Sequence, residues 1–116
     1  MSGKPRSPIL LDINDPGDAG TIHVPKHNNL VCILNTGGAE TRVMGAPTFP
    51  GQCATLLFNV DGGDAVVTIA ATVNQTGNNT LTFADAGDFI ELRGCLLTGA
   101  LKWRTAGNDG VALSTV

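Results

Sequence analysis

The chain contains no tyrosine, and only one tryptophan and four phenylalanines. A sugar-cleaving groove needs aromatic platforms beside its paired acids, so this shortage argues against a glycan-active enzyme. Charge is scarce as well. Asp, Glu, Lys and Arg make up 15% of residues, against about 25% in an ordinary soluble domain. The net charge is −3 and the seven basic residues are scattered along the chain. Nucleic-acid binding needs Lys and Arg gathered on phosphates, so no nucleic-acid partner is expected. No stretch approaches the ~18 apolar residues of a membrane helix. The N-terminus has no apolar signal segment beyond Ile9-Leu10-Leu11, so synthesis in the cytoplasm and no membrane partner are expected.

Catalytic constellations are missing too. The serines are Ser2, Ser7 and Ser114, near the chain ends, and no G-x-S-x-G elbow occurs. The glycines of "NTGG" follow a strand pattern, but no helix comes after them to receive a phosphate. Cys32, Cys53 and Cys95 lie far apart and form no CxxC pair. They read as free thiols acting as small hydrophobes, and their odd number suits a reducing compartment. No enzymatic activity, cofactor or metal is expected.

What is present is period two. In "CATLLFNV" (53–60), Ala54, Leu56, Phe58 and Val60 share one face. In "DFIELRG" Ile90 and Leu92 do, and in "LKWRT" Leu101, Trp103 and Thr105. Such alternation marks strands with one face in a core. Further strands are expected at Leu30–Leu34, Thr41–Met44, Ala65–Ala71, Thr80–Ala84 and Val111–Ser114. Gly-, Asn-, Asp- and Pro-rich turns separate them. About eight short strands in one domain indicate an all-β fold, a β-sandwich or jelly-roll-like barrel. Trp103 is read as core, with Lys102 and Arg104 pointing outward together as a small basic strip.

The first 20 residues differ. Pro5, Pro8 and Pro16 break regular structure, Lys4 and Arg6 make the tip basic, and Asp12, Asp15 and Asp18 make the stem acidic. Residues 1–20 are read as an extended N-terminal arm and 21–116 as the β domain. Three consecutive aliphatics have no use in a solvated tail, so Pro8, Ile9, Leu10 and Leu11 are candidate interface residues. The loop "GAPTFPGQ" adds Pro47, Phe49 and Pro50 as a stiff apolar tip.

Two motifs carry possible ligand chemistry. Asp61-Gly62-Gly63-Asp64 and Asp85-Ala86-Gly87-Asp88 both read D-x-G-D. Neither stands in tandem copies, and neither supplies the Glu of a calcium loop, so both are read as hairpin corners. His23 and His27 are four apart, but Pro25 between them disfavours a helix. They are read as exposed loop histidines.

From about residue 30 onward the chain resembles small structural proteins of phage virions. The phrases that carry the likeness are "ETRVMGAPTFPGQ" (40–52), "FNVDGGDAVVTIAATVNQTGNNTLTFADAGDFIELRG" (58–94) and "LKWRTAGNDGVALS" (101–114). They resemble head decoration (cement) proteins and tail-fibre modules. The resemblance implies a homotrimeric, non-enzymatic β protein on the outer capsid surface, with the major capsid protein as partner. Fibre modules are usually segments of longer chains with repetitive shafts, which this sequence lacks, so the self-contained decoration protein is favoured. A receptor-binding fibre tip is the alternative.

Overall fold

The computed structural model describes residues 9–116. Ten strands form: β1 Leu10–Ile13, β2 Gly20–Ile22, β3 Asn29–Asn35, β4 Glu40–Met44, β5 Cys53–Val60, β6 Ala65–Ile69, β7 Thr80–Phe83, β8 Phe89–Leu97, β9 Ala100–Asp109 and β10 Ala112–Ser114. They make two five-stranded sheets, β1-β3-β5-β8-β9 (sheet A) and β10-β7-β6-β4-β2 (sheet B). Of the two expected forms this is the sandwich. All eight anticipated strands are present, and β1 and β2 are additional.

Chain direction separates the two halves of the fold. β1, β3 and β5 run parallel in sheet A, while β2, β4 and β6 run parallel in sheet B. Each pair from β1–β2 to β5–β6 is therefore one coil, rising in A, crossing, and returning in B. Antiparallel β7 and β8 then extend the two sheets, followed by β9 and β10. The β8–β9 turn is tight. Thr98 (φ 45°) and Gly99 (φ 81°) both take the left-handed conformation that a two-residue hairpin requires.

Inward positions of both sheets supply an apolar core that includes Leu30, Leu56, Phe58, Val67, Phe83 and Ile90. Phe58 and Phe83 meet edge to face, with ring centroids 6.2 Å apart. Trp103 is buried, and its indole N–H donates to the Gly45 carbonyl (2.8 Å). Val60 departs from its expected face and is 51% exposed. Leu34 pairs with Phe58 but Asn35 pairs with Val60, so a bulge at this step takes Val60 off the inward face.

At one end of the sandwich the crossings stack as arches. Arg42 opposes Gly20 in β2 and Val67 in β6, and its side chain is fully buried. Its Nε and Nη2 donate to the two Asp15 carboxylate oxygens (2.6 and 2.9 Å), and Nη2 also reaches Glu40 (2.9 Å). Asp15 accepts the Asn35 and Gly17 N–H groups as well (2.9 and 3.1 Å). Burial alone would raise the Asp15 carboxyl pKa, but the bonds from Arg42, Asn35 and Gly17 outweigh it and hold the pKa below its ordinary value.

The described part of the 1–20 segment thus lies on the chain's own two sheets. Leu11 and Ile13 pair with Leu30 and Cys32 on the core side, whereas Leu10 faces outward. Removing residues 1–20 would take away β1 and the counter-charge of a buried guanidinium, so loss of folding is expected instead of an intact remainder.

Replacing Asp15 with Ala is expected to lower stability in urea unfolding by about 3 kcal/mol, because a buried cation loses its main partner. The Asp15 pKa is depressed in the folded state. Its contribution is therefore present above about pH 4 and disappears as pH falls further, so the variant's stability should fall less steeply there.

Candidate interaction surface

Outward positions of sheet B are Thr21 on β2, Thr41 and Val43 on β4, Val66 and Thr68 on β6, and Thr82 on β7. Ala112 and Ser114 complete the face, with Thr80 buried beneath it, and among the described residues it carries no charged side chain. β-Branched residues pack well against same-face neighbours on a pleated surface, which accounts for threonine and valine here. Val43 is 48% exposed. A shallow recess of about 310 Å³ surrounds it, lined by Thr21, Thr68, Ile69 and the Gly45–Ala70 rim. With little but aliphatic carbon around it, the recess suits an apolar side chain better than a polar small molecule.

The residues proposed from sequence are spread over the fold. Pro8 lies outside the described residues. Ile9 and Leu10 are each 61% exposed at the outer edge of sheet A, and Leu11 is half-buried. In the "GAPTFPGQ" loop Pro47 is buried, Phe49 half-buried and Pro50 exposed. Fully buried Gln52 holds that loop to the domain. Its amide donates to the Pro25 and Asn28 carbonyls (2.8 Å each), and its oxygen accepts the Thr48 N–H (2.8 Å).

Both D-x-G-D units are corners, but neither closes a hairpin. Residues 61–64 carry the chain from sheet A to sheet B, and 85–88 carry it back. Their aligned glycines serve different needs. A Cβ on Gly63 would overlap the Gly38 carbonyl carbon and the Ala39 nitrogen, because the third arch rests on the second. Gly87 has open space around it but sits at φ 98°. Asp61 accepts the Gly63 N–H (3.1 Å), and Asp88 accepts those of Ala84 and Asp85 (3.1 Å each). Turn closure occupies these carboxylates.

A repeat missed by the sequence reading underlies the arches: Asn14…Gly17-Asp18-Ala19, Asn35…Gly37-Gly38-Ala39 and Asn59…Gly63-Asp64-Ala65. Its copies stack. The Asn59 amide donates to Asn35 (3.2 Å), the Thr36 hydroxyl to the Gly63 carbonyl (2.6 Å), and the Ala19 N–H to the Thr41 carbonyl (2.7 Å).

Charge that is scattered in sequence is sorted in space. All described acids except Asp12 and Glu91 lie in or beside the arches. Lys26, Arg93, Lys102 and Arg104 occupy the opposite half. Arg104 does not simply point outward beside Lys102, because its guanidinium donates to the Thr72 carbonyl (2.8 Å).

His23 and His27 are exposed in the β2–β3 connector. Among the described residues no group of three or more His, Cys, Asp or Glu side chains could hold a metal ion. Cys32 is buried in the core, and its thiol pKa is pushed up to about 11, chiefly by burial and also by the charge of Asp15. Cys53 and Cys95 are half-buried and free.

No protein-family model matches the chain, and no curated protein is similar to it.

The two look-alike corners separate experimentally. Gly87→Asn should cost no more than about 1 kcal/mol, since Asn tolerates the left-handed region. Gly63→Asn should cost about 3 kcal/mol by forcing the arches apart, as read from denaturant midpoints.

Proposed function

We propose that this chain is a phage head decoration protein, which docks as a homotrimer on the outer capsid surface and ties neighbouring copies of the major capsid protein together. The observation that carries this reading is the charge-free outer face of sheet B with its recess at Val43. Such a face can be covered without desolvating a charge, and the recess offers a seat for one apolar side chain of the shell. Its extent is modest for a stable interface, so each contact is weak. Repetition over symmetric positions turns weak contacts into avidity. The role is mechanical. A sandwich braced across its arches by a buried ion pair opposes outward pressure without chemistry of its own. The turn-and-strand phrases, which resemble those of virion proteins, point the same way.

The test uses heads assembled from the major capsid protein encoded alongside this chain. Wild-type chain is expected to co-sediment saturably with them and to have the native mass of three chains. Val43→Asp, an outward and half-exposed position, should lower apparent affinity at least about tenfold. Wild-type chain that stays in the supernatant would overturn the reading. A Val43→Asp variant that pellets normally would remove sheet B from the contact.

A further inference from the structure

β1 is the outer strand of sheet A, and among the described residues no strand pairs with its far side. The Asn29 N–H donates to the Ile9 carbonyl (2.9 Å), and Leu10 is the Cα partner of Asn29. In a parallel ladder this directs the backbone groups of Ile9, Leu11 and Ile13 toward β3, and those of Leu10 and Asp12 toward the open edge. The other three edges are partly blocked or shorter. On β9, the Thr105 N–H donates to the Val73 carbonyl (3.0 Å), while β2 and β10 are only three residues long. β1 instead presents Ile9 and Leu10, each 61% exposed. An unblocked edge of this kind is a template for strand addition.

We propose that β1 is a self-pairing edge, through which two copies of this chain join antiparallel about a twofold axis at Leu11. The backbone directions select this register. Centred on Leu11, Leu10 faces the partner's Asp12 and Asp12 faces the partner's Leu10. Both pairs have free N–H and C=O groups aimed at each other, so both exchange hydrogen bonds. Leu11 then meets the partner's Leu11, and Ile9 meets the partner's Ile13, both on the core side. A register centred on Leu10 completes only one bonded pair, and one centred on Asp12 sets two carboxylates face to face. A second copy is the occupant because this edge complements itself, with aliphatic against aliphatic and Asp12 opposite an uncharged residue. Such an isologous contact needs only the fold and does not rest on the virion reading. It can join two free chains, or two trimers.

The edge is four residues long, well short of the ~800 Å² per partner of a stable interface, so the complex is to be trapped and not weighed. Full-length chain carrying Cys32→Ala, Cys53→Ser and Cys95→Ser receives Leu11→Cys and is oxidised mildly. In the inferred register the two introduced thiols sit on a non-hydrogen-bonded pair, with Cα atoms about 4.5 Å apart and within disulfide reach. The comparison variant is Leu10→Cys. Random collision would link the more exposed residue 10 faster, whereas the edge pair should link L11C about fivefold faster or more on a non-reducing gel. Adding Leu10→Pro to L11C removes an outward N–H, leaves the bonds to β3 intact, and should return linking to the collision rate. Should L11C fold poorly, mixing I9C chains with I13C chains gives the second measurement, and the mixture should link faster than either variant alone. Linking of L11C no faster than L10C, or linking indifferent to Leu10→Pro, would overturn the proposal. So would an I9C/I13C mixture that behaves like its components, as expected if residues 1–8 or another protein's strand covers the edge.

Discussion

A guanidinium with no exposed surface is the constraint around which the arches are arranged. Arg42 sits on a strand whose neighbours at the same level are Gly20 and Val67, and water does not reach it. Burying a cation costs several kcal/mol unless its charge and donors are met. Asp15 answers with a two-pronged bond, Glu40 and the Asn35 carbonyl with one each, and Nη1 alone has no partner among the described residues. Burial would lower the Arg42 pKa, but the bonds from Asp15 and Glu40 raise it above its ordinary value, so the charge persists. The ion pair therefore joins the first coil to the second. Apart from it, β1 and β2 are held by short ladders and by Ile13 and Ile22 in the core.

Glycine sets the spacing that the ion pair then locks. Strands in parallel coils lie about 4.8 Å apart, and their crossings must stack equally close. Gly62 and Gly63 lie directly against the backbone of residues 36–39, where no side chain fits. The Thr36 hydroxyl fills the remaining gap by donating to Gly63 and accepting from Gly62 (2.6 and 3.1 Å). Polar closure at this end and the Gln52 clasp at the other leave the space between the sheets to aliphatic and aromatic carbon.

The scarcity of charge and the character of the surface are linked through this geometry. Arches are turns, turns favour aspartate, and stacking them gathers most acids at one end. Of the described basic residues, Arg42 lies within the arches, while Lys26, Arg93, Lys102 and Arg104 lie in the other half. Sheet B is left with a flat face of threonine and valine, the part of the molecule cheapest to cover. The proposed assembly role rests on that economy, while Asp15, Asp18, Glu40, Asp61 and Asp88 are held by backbone N–H groups in the turns. The same low charge leaves β1 without the lysine or proline that usually guards an edge.

Local physics was legible in the sequence. Alternation located the eight strands from β3 to β10, put Ile90, Leu92 and Trp103 in the core, and marked the corners, because side-chain direction and turn propensity act over a few residues. What pairs with what was not legible. Ile9-Leu10-Leu11 read as an anchor for a neighbour, yet Leu11 and Ile13 serve the chain's own core, since β1 finds its partner across a crossover and not a turn. Arg42, in "ETRVM", occupies an inward position that alternation alone would assign to an apolar residue. Its counter-charge lies 27 residues away. The D-x-G-D units looked alike as turns, but which sheet each corner leaves and enters depends on sheet membership. Composition and period two thus determined an all-β fold with eight of its strands and its corners. Only the tertiary structure decided the coiled parallel half, the buried ion pair, the sorted charge and the neutral face, because parallel pairing joins segments about two dozen residues apart with no local signal at either end.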